Sequence, residues 1–575
     1  MTSPADSAAA RDRLRFAAGT AALVVALLLV YLPALHGGPV WDDDYMLTGN
    51  PAMTEAHGLW RIWFDLSAVQ VYYPLTLTAL WLECRLFGLH HLTGYHVVNV
   101  LLHAANAIVL WRLLRRLAVP GAFAAAALWA LHPVGVESVA WITEHKNTLS
   151  GLLYLTSMWA LLRYYRIIEP AGGGLSYLIA LLTFALALAA KTTAVTLPAA
   201  ALLIVWWKRG RLRSGDLWAA APFVGVAAVA GAITQHVETH ITGTWDPTWS
   251  LSPPQQVLVA GRALWFYAAK LAWPARLSFF YPRWHVDPAV AWQWAYPLAA
   301  AAVIGTLWAT RRRLGRGPLV GVLFFAGTLV PALGFFHVLF QRYSFVADHL
   351  QYLAGVGLIV IASAAVARAP VPTRVQHAGF VVVAVALAAV TASSARRFAS
   401  DAAVWKSALD LDPSNPSVNL NYASALILEG QYDAAEAPLR RAAENPAFAG
   451  RVWDNLGVVA QARAEARGPD WKQQYAQALE DDRRSVALEP DDPRSHYHYG
   501  TMLLVTGDLP AAADQLRTAI ALRPDWAGAH DTLGVCLLHL GRPAEAAAEF
   551  RVAGQIDPTL PLLQHHLAEA AAAGG

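Results

Sequence analysis

The 575-residue sequence is 56% hydrophobic and only 14% charged, with a mean hydropathy of +0.37 although its last third reads as water-soluble, and such an average requires a polytopic membrane domain. The net charge of +3 comes without the basic clustering of a nucleic-acid binder. Two cysteines, Cys84 and Cys536, give no disulfide framework and no Cys-based metal site.

Residues 1–15 are polar, with Arg11, Arg13 and Arg15, and precede an apolar run from Phe16 to Leu35. The run is long enough to span a bilayer and longer than a signal-peptide core, so it reads as a retained first helix. The positive-inside rule then puts the N-terminus in the cytoplasm and the following stretch, Val40 to Pro51, outside. That stretch holds Asp42, Asp43 and Asp44 between Trp41 and Tyr45. Three successive carboxylates at the end of a membrane-length run are costly near lipid, and the flanking aromatics place them at the interface. A carboxylate there can take a proton from a hydroxyl arriving from the aqueous side. The plainer alternative is an Asp-rich helix cap or solvated loop.

Residues 36–94 form an outer loop in which Leu59 to Phe64 and Tyr72 to Gly88 read as amphipathic helices along the membrane surface. Further spans are expected at about Val97–Leu117, from Ala122, at Leu149–Tyr165, Ser176–Ala190, Ala194–Trp207 and Leu217–Ile233, then at Trp292–Thr310, Leu319–Phe336, Leu350–Val366 and Gly379–Thr391. Arg112 to Arg116, Arg163, Lys208 to Arg213, Arg311 to Arg316 and Arg368 to Arg374 mark their cytoplasmic ends. Residues 257–274 are apolar, but counting them as a crossing would put Arg311 to Arg313 outside, so they read as re-entrant or in-plane. The total of about eleven spans returns the C-terminal domain to the side of the acidic loop.

That domain is marked by its period. Pro490, Pro524 and Pro558 are 34 residues apart, as are Gly500 and Gly534, and Gly507 and Gly541, which is the tetratricopeptide spacing. A nine-residue insertion around Glu465 to Trp471 breaks the register upstream. The expectation is an all-α chain: a helical membrane domain at 1–395, a connecting helix or half-repeat at 396–416, and an α-solenoid at 417–575 with four repeats and a cap from Pro561 to Ala573. Such arrays offer a concave face to peptides or partners.

Several motifs stand together: Trp41-Asp42-Asp43, Tyr73-Pro74-Leu75, Gly94 to His103, His132 to Trp141, Lys191 to Pro198 and Gln341-Arg342-Tyr343. With the repeats behind them, they resemble the transmembrane and tetratricopeptide-repeat protein O-mannosyltransferases and their bacterial relatives, within the GT-C class. The chain departs from that pattern in its third Asp and in Glu144-His145-Lys146, where relatives tend to carry a basic residue. The resemblance implies a polyprenyl-phosphate sugar as donor, a protein or peptide hydroxyl as acceptor presented by the repeats, and inversion at the sugar, in the inner membrane of a bacterium. It makes Asp43 the first candidate base and Asp42 the second. Arg342, then Lys191, are the candidates for the lipid phosphate, with Tyr343, His132, Glu137 and Glu144 completing the donor site. No cofactor beyond the lipid-linked sugar is implied; Asp44 is a possible metal ligand, though no spacing enforces one.

Each residue also has a structural reading. Arg342 and Lys191 suit snorkelling anchors, and His132 and Glu137 suit a cap around Pro133. His96, Asn99, His103 and Asn106 recur at helical spacing, as side chains that hydrogen-bond between helices do. Two other functions fit the same topology: a non-catalytic membrane scaffold for envelope assembly, in which the Asp run tolerates Asn, and a transporter, whose polar residues would line the midplane.

Overall fold

The computed structural model describes residues 4–66, 71–241, 250–336, 339–466, 470–557, 560 and 562–574, without the side chains of residues 4–9, 241, 339, 342 and 471. Among these residues there is helix and no strand. The chain divides into two compact units, Met1–Ser407 and Ala408–Gly575, a division that falls within the connecting segment 396–416.

In the first unit α1 (Pro4–Tyr31) runs through an unbroken Ala, Leu and Val stretch and stops before Pro33, whose ring cannot extend it. Two short helices follow, α2 (Gly58–Phe64) and α3 (Pro74–Phe87). They bury Ile62, Leu77 and Leu80 against Met46, Leu47, Met53 and Tyr95, while Trp60 and Phe64 stay exposed on the other face. Helices α4 (Thr93–Arg116), α5 (Ala122–Ala130), α6 (Val136–Ala140), α7 (His145–Tyr164), α8 (Gly174–Ala190), α9 (Leu197–Arg209) and α10 (Ser214–His236) continue the bundle. It is completed by α11 (Pro253–Ala272), α12 (Ala295–Thr310), α13 (Gly317–Leu329), α14 (Gly355–Arg368) and α15 (Thr373–Ala395), after which α16 (Asp401–Leu411) crosses the unit boundary.

Each apolar stretch expected to span contains a helix, although α13 stops at Leu329 within Leu319–Phe336 and α14 starts only at Gly355 within Leu350–Val366. Four, at Ala10–Ala34, Thr93–Arg116, Ser214–His240 and Thr373–Ala399, are long and apolar enough to cross a bilayer alone. α5 and the following Pro133–Ala140 pass the same test as a pair bent by 53° at the His132-Pro133 break. Gly174–Ala190, Gly317–Ala332 and Gly355–Arg368 are shorter apolar helices. α13 and α14 touch backbone to backbone: a Cβ on Gly357 would sit 2.3 Å from the Gly321 carbonyl, so only glycine allows this approach.

The second unit stacks α17 (Pro416–Leu428) with α18 (Tyr432–Ala442), α19 (Ala449–Glu465) with α20 (Trp471–Leu488), α21 (Pro493–Thr506) with α22 (Leu509–Leu522) and α23 (Ala527–His539) with α24 (Pro543–Ile556), capped by α25 (Leu563–Gly574). The 34-residue period is visible atom by atom. His496 Nε2 bonds the Pro490 carbonyl and Nδ1 meets Gln515; His530 repeats the first contact with Pro524 and the second with Glu549. The insertion lengthens one pair: α19 and α20 have 17 and 18 residues where the third pair has 14 and 14. Its residues 467–469, like Pro561 of the expected cap, lie outside the described residues.

Candidate active site

The acidic loop is held from three sides before any carboxylate is placed. A Cβ on Gly37 would come within 2.4 Å of the Phe398 carbonyl, and the Gly38 N–H donates to the Ala399 carbonyl. The Trp141 indole donates to the Val40 carbonyl at 3.0 Å. Trp41 donates its N–H to Asp401 Oδ1 and packs its ring among Phe279, Phe280, Tyr343 and Trp405. Its φ is +45°, a left-handed conformation that costs a non-glycine residue about 1–3 kcal/mol and persists where the surroundings enforce it.

That turn sends the next two carboxylates in different directions. Asp43 is 1% exposed, and both its oxygens are taken: Oδ2 accepts from the Val40 N–H and Oδ1 from the Thr143 N–H, each at 2.9 Å. Burial pushes it up to about 7 against the pull of those donors. Asp42 instead faces Lys146, with Oδ2 and Nζ 3.7 Å apart, and its side chain is 15% exposed. Burial raises Asp42 above the ordinary carboxylate range; Lys146 pulls it down and Glu144 pushes it up. Asp44 turns outward and accepts from the Thr48 hydroxyl.

Glu144, fully buried, joins two lysines. Its Oε1 lies 2.9 Å from Lys146 Nζ and its Oε2 3.4 Å from Lys191 Nζ, while Asn147 donates to the same carboxylate. Burial opposes the charge on Glu144, but Lys146 and Lys191 outweigh it and hold the carboxyl far below its usual value. Burial lowers Lys191 to about 8, with Glu144 holding it up and Lys146 pressing it down. Beside Lys191, Thr192 Oγ1 meets Thr234 Oγ1 at 2.6 Å, and both threonines line an apolar groove of about 520 Å³ between α8 and α10, bounded by Trp63 and Tyr72.

The remaining candidates divide. Glu137 takes the His349 N–H at 2.8 Å and lies 3.3 Å from His349 Nδ1; Asp348 accepts from the Tyr281 hydroxyl. His132 accepts from the Val134 N–H on Nδ1 and donates from Nε2 to the Leu271 carbonyl, so both ring nitrogens serve the bend between α5 and α6. Tyr343 meets the Trp41 ring edge-on, with centroids 6.1 Å apart. The side chain of Arg342 lies outside the described residues. Among the described residues no three His, Cys, Asp or Glu side chains converge as a metal site.

Lys146, which the sequence marks only as a departure from the family pattern, belongs to this group. It is two positions from Glu144, a spacing that a continuous helix would not bring together, and only the 3₁₀ turn Ile142–Glu144 ahead of α7 does so. The helical polar series behaves as interhelical glue. Asn99 donates to the Ser138, Val139 and Trp141 carbonyls, Asn106 to that of Thr148, and His103 joins Tyr352 to the Ala130 carbonyl. Asn99 and Asn106 thus brace the segment that presents Glu144.

Residues 74–233 match the family described as dolichyl-phosphate-mannose-protein mannosyltransferase, and residues 472–529 and 507–561 match tetratricopeptide repeats. The chain is 24% identical over 518 residues to the human Protein O-mannosyl-transferase TMTC1, an alignment covering 78% of this chain and 58% of that one. It is 31% identical over 193 residues to Protein O-mannosyl-transferase Tmtc1 of Drosophila melanogaster, covering 31% and 22%. The chain therefore spans little more than half the length of the first of these relatives, and less of the second. A thermophilic TPR protein of Thermus thermophilus is similar in structure at a TM-score of 0.27 and 19% identity, over 35% of this chain and 95% of that one. The chain joins a mannosyltransferase-type membrane domain to tetratricopeptide repeats, the combination of the transmembrane and tetratricopeptide-repeat O-mannosyltransferase family that it resembles.

Proposed function

We propose that the protein is a membrane glycosyltransferase that moves a sugar from a polyprenyl-phosphate donor to a Ser or Thr hydroxyl of a protein on the extracytoplasmic side, with Asp42 as general base. The observation that carries this reading is the placement of Asp42 beside Lys146, with Lys191 joined to the same group through Glu144, next to an apolar groove. The acceptor O–H gives its proton to the Asp42 carboxylate while its oxygen bonds the anomeric carbon. The bond from that carbon to the phosphate oxygen breaks on the opposite face, with inversion, and its electron pair leaves on the polyprenyl phosphate.

A carboxylate raised by burial is a stronger base than one in water, which suits Asp42 to that proton. The leaving phosphate is already an anion and needs charge stabilisation more than an acid, and Lys146 and Lys191 are the cations at hand. Arg342 is proposed as a third. The groove between α8 and α10 takes the first isoprene units, its threonine end beside Lys191 and its apolar walls in the bilayer. Asp43, with both oxygens engaged by backbone N–H groups, is assigned the positioning of the loop, which reverses the order read from the sequence.

The test is turnover of labelled polyprenyl-phosphate sugar on a Ser/Thr peptide by purified Asp42→Asn protein. Asn keeps the size and cannot take the proton, so transfer should fall at least about 100-fold while the fold persists. Transfer near the wild-type rate removes Asp42 as base, and an Asp run that tolerates Asn throughout is what a non-catalytic scaffold would display.

A further inference from the structure

A second cavity lies at the other end of the membrane unit. It occupies about 370 Å³ between α4, α7, α9, α13 and α14, and its lining reaches from Tyr154 and Val356 to Lys208 and Arg368. α9 starts at Leu197, six residues after Lys191, and ends beside Lys208, so the helix length separates this mouth from the candidate active site by about 16 Å. Along α14 the lining runs from Val356 to Arg368, a rise of about 18 Å, which matches the roughly 15 Å depth of one leaflet in a 30 Å hydrocarbon core.

The walls are almost wholly apolar, and the charge is all at the mouth. Lys208 and Arg368 both line it, and they repel each other. No carboxylate lines the cavity, and among the described residues neither cation has an ion-pair partner, whereas the adjacent Arg209 is neutralised by Asp216 at 2.8 Å. Lys208 donates to the Leu117 carbonyl and lies over the Trp207 ring at 4.0 Å, contacts that give it no anionic partner. Two like charges lining one cavity mouth at the edge of a bilayer are favoured when an anion lies between them.

We propose that this cavity is a binding site for an anionic glycerophospholipid of the leaflet at the arginine-rich helix ends, one acyl chain lying between α4 and α14 and the phosphate held by Lys208 and Arg368. The occupant is a phospholipid and not a free anion, because the cavity's depth and apolar walls fit a chain and only its mouth fits a phosphate. The inference uses no residue of the proposed active site and stands apart from that reading. Such a lipid fills the space behind the Gly321 and Gly357 contact and braces α13 against α14 from the side opposite the catalytic loop.

The experiment is native mass spectrometry of the full-length protein, purified in detergent and exchanged with phosphatidylglycerol or phosphatidylcholine of identical chains. The wild type should retain phosphatidylglycerol at least about tenfold better, the effect of one to two charge-assisted contacts. Lys208→Ala with Arg368→Ala should abolish that preference, Arg311→Ala with Arg312→Ala on the same end should leave it intact, and Ala364→Phe should lower retention of both lipids. The milder pair Lys208→Gln and Arg368→Gln serves if the alanine variant fails to fold. Equal retention of the two lipids by the wild type overturns the proposal, as does a preference that survives the double variant, equal loss in the Arg311 and Arg312 variant, or competition by inorganic phosphate at the same concentration.

Discussion

Thr143 donates its backbone N–H to Asp43 Oδ1 at 2.9 Å, across 100 positions of sequence, and so fixes the acidic loop to the turn that presents Glu144. The adjacent Asp42 makes no such tie and points at Lys146 instead. Two neighbouring residues of one type thus have different surroundings, and the tasks proposed for them separate experimentally.

Asp43→Asn should cost stability before it costs chemistry. Its amide offers one oxygen to two N–H donors, leaving one buried donor unsatisfied at about 1–3 kcal/mol. Thermal unfolding of the purified variant should shift to lower temperature, whereas Asp42→Asn should unfold with the wild type and lose turnover. A fully stable Asp43→Asn protein without activity would return the base role to Asp43.

Glu144 compensates two buried lysines, so removing its charge leaves both uncompensated. Glu144→Gln should destabilise the membrane unit by about 3–5 kcal/mol. The comparison is Glu55→Gln, which breaks a part-exposed pair with Arg61 at 2.8 Å and should cost at most about 1 kcal/mol. Similar losses of thermal stability in the two variants would show that the buried group carries no special weight.

The apolar helices and the repeats are legible because each is written as a period or a run, although among the described residues only four of the expected spans form helices long and apolar enough to cross a bilayer alone. Apolar stretches alternate with arginine clusters, and proline and glycine recur every 34 residues downstream of a nine-residue insertion. The division between Asp42 and Asp43 was not legible, because it depends on the left-handed backbone of Trp41, which Phe279, Phe280 and Trp405 enforce from distant parts of the chain. The sequence marks Lys146 only as a departure from the family pattern and gives it no role for a related reason: its pairing with Glu144 comes from a 3₁₀ turn, and the pairing of Glu144 with Lys191 closes over 47 residues. His132 and Tyr343 carry motif signal, and the structure shows the contacts that the sequence does not: His132 on the bend between α5 and α6, and Tyr343 edge-on to the Trp41 ring.

Lys191 should give donor use a pH limit. It is charged below about 8 and neutral above, so a phosphate contact through it is present at pH 7 and lost as pH rises through 8. The KM for the lipid-linked donor should climb on the alkaline side, by up to about tenfold per pH unit. Lys191→Arg, charged throughout the range, should flatten that limb. An unchanged alkaline profile would exclude Lys191 from the phosphate contact.

The repeats are proposed to bind the acceptor polypeptide on the extracytoplasmic side and raise its local concentration. Removing residues 417–575 should spare binding of the lipid-linked donor and impair transfer to a protein, with a smaller loss on a short peptide. A cysteine introduced as Glu465→Cys should react with an impermeant thiol reagent in intact cells. Labelling only after the membrane is opened would put the repeats in the cytoplasm and end the presentation model.

The bond from the Trp41 N–H to Asp401, together with the Trp41 and Trp405 ring contact at 4.6 Å, decides where the chain can be cut. Residue 395 closes the last long apolar helix and is the natural place for scissors, yet a fragment ending there loses both partners of Trp41 that lie on α16. Such a fragment would free the backbone turn that aims Asp42, and its inactivity would be misread as a need for the repeats. A membrane unit made for assay must carry α16 through Leu411.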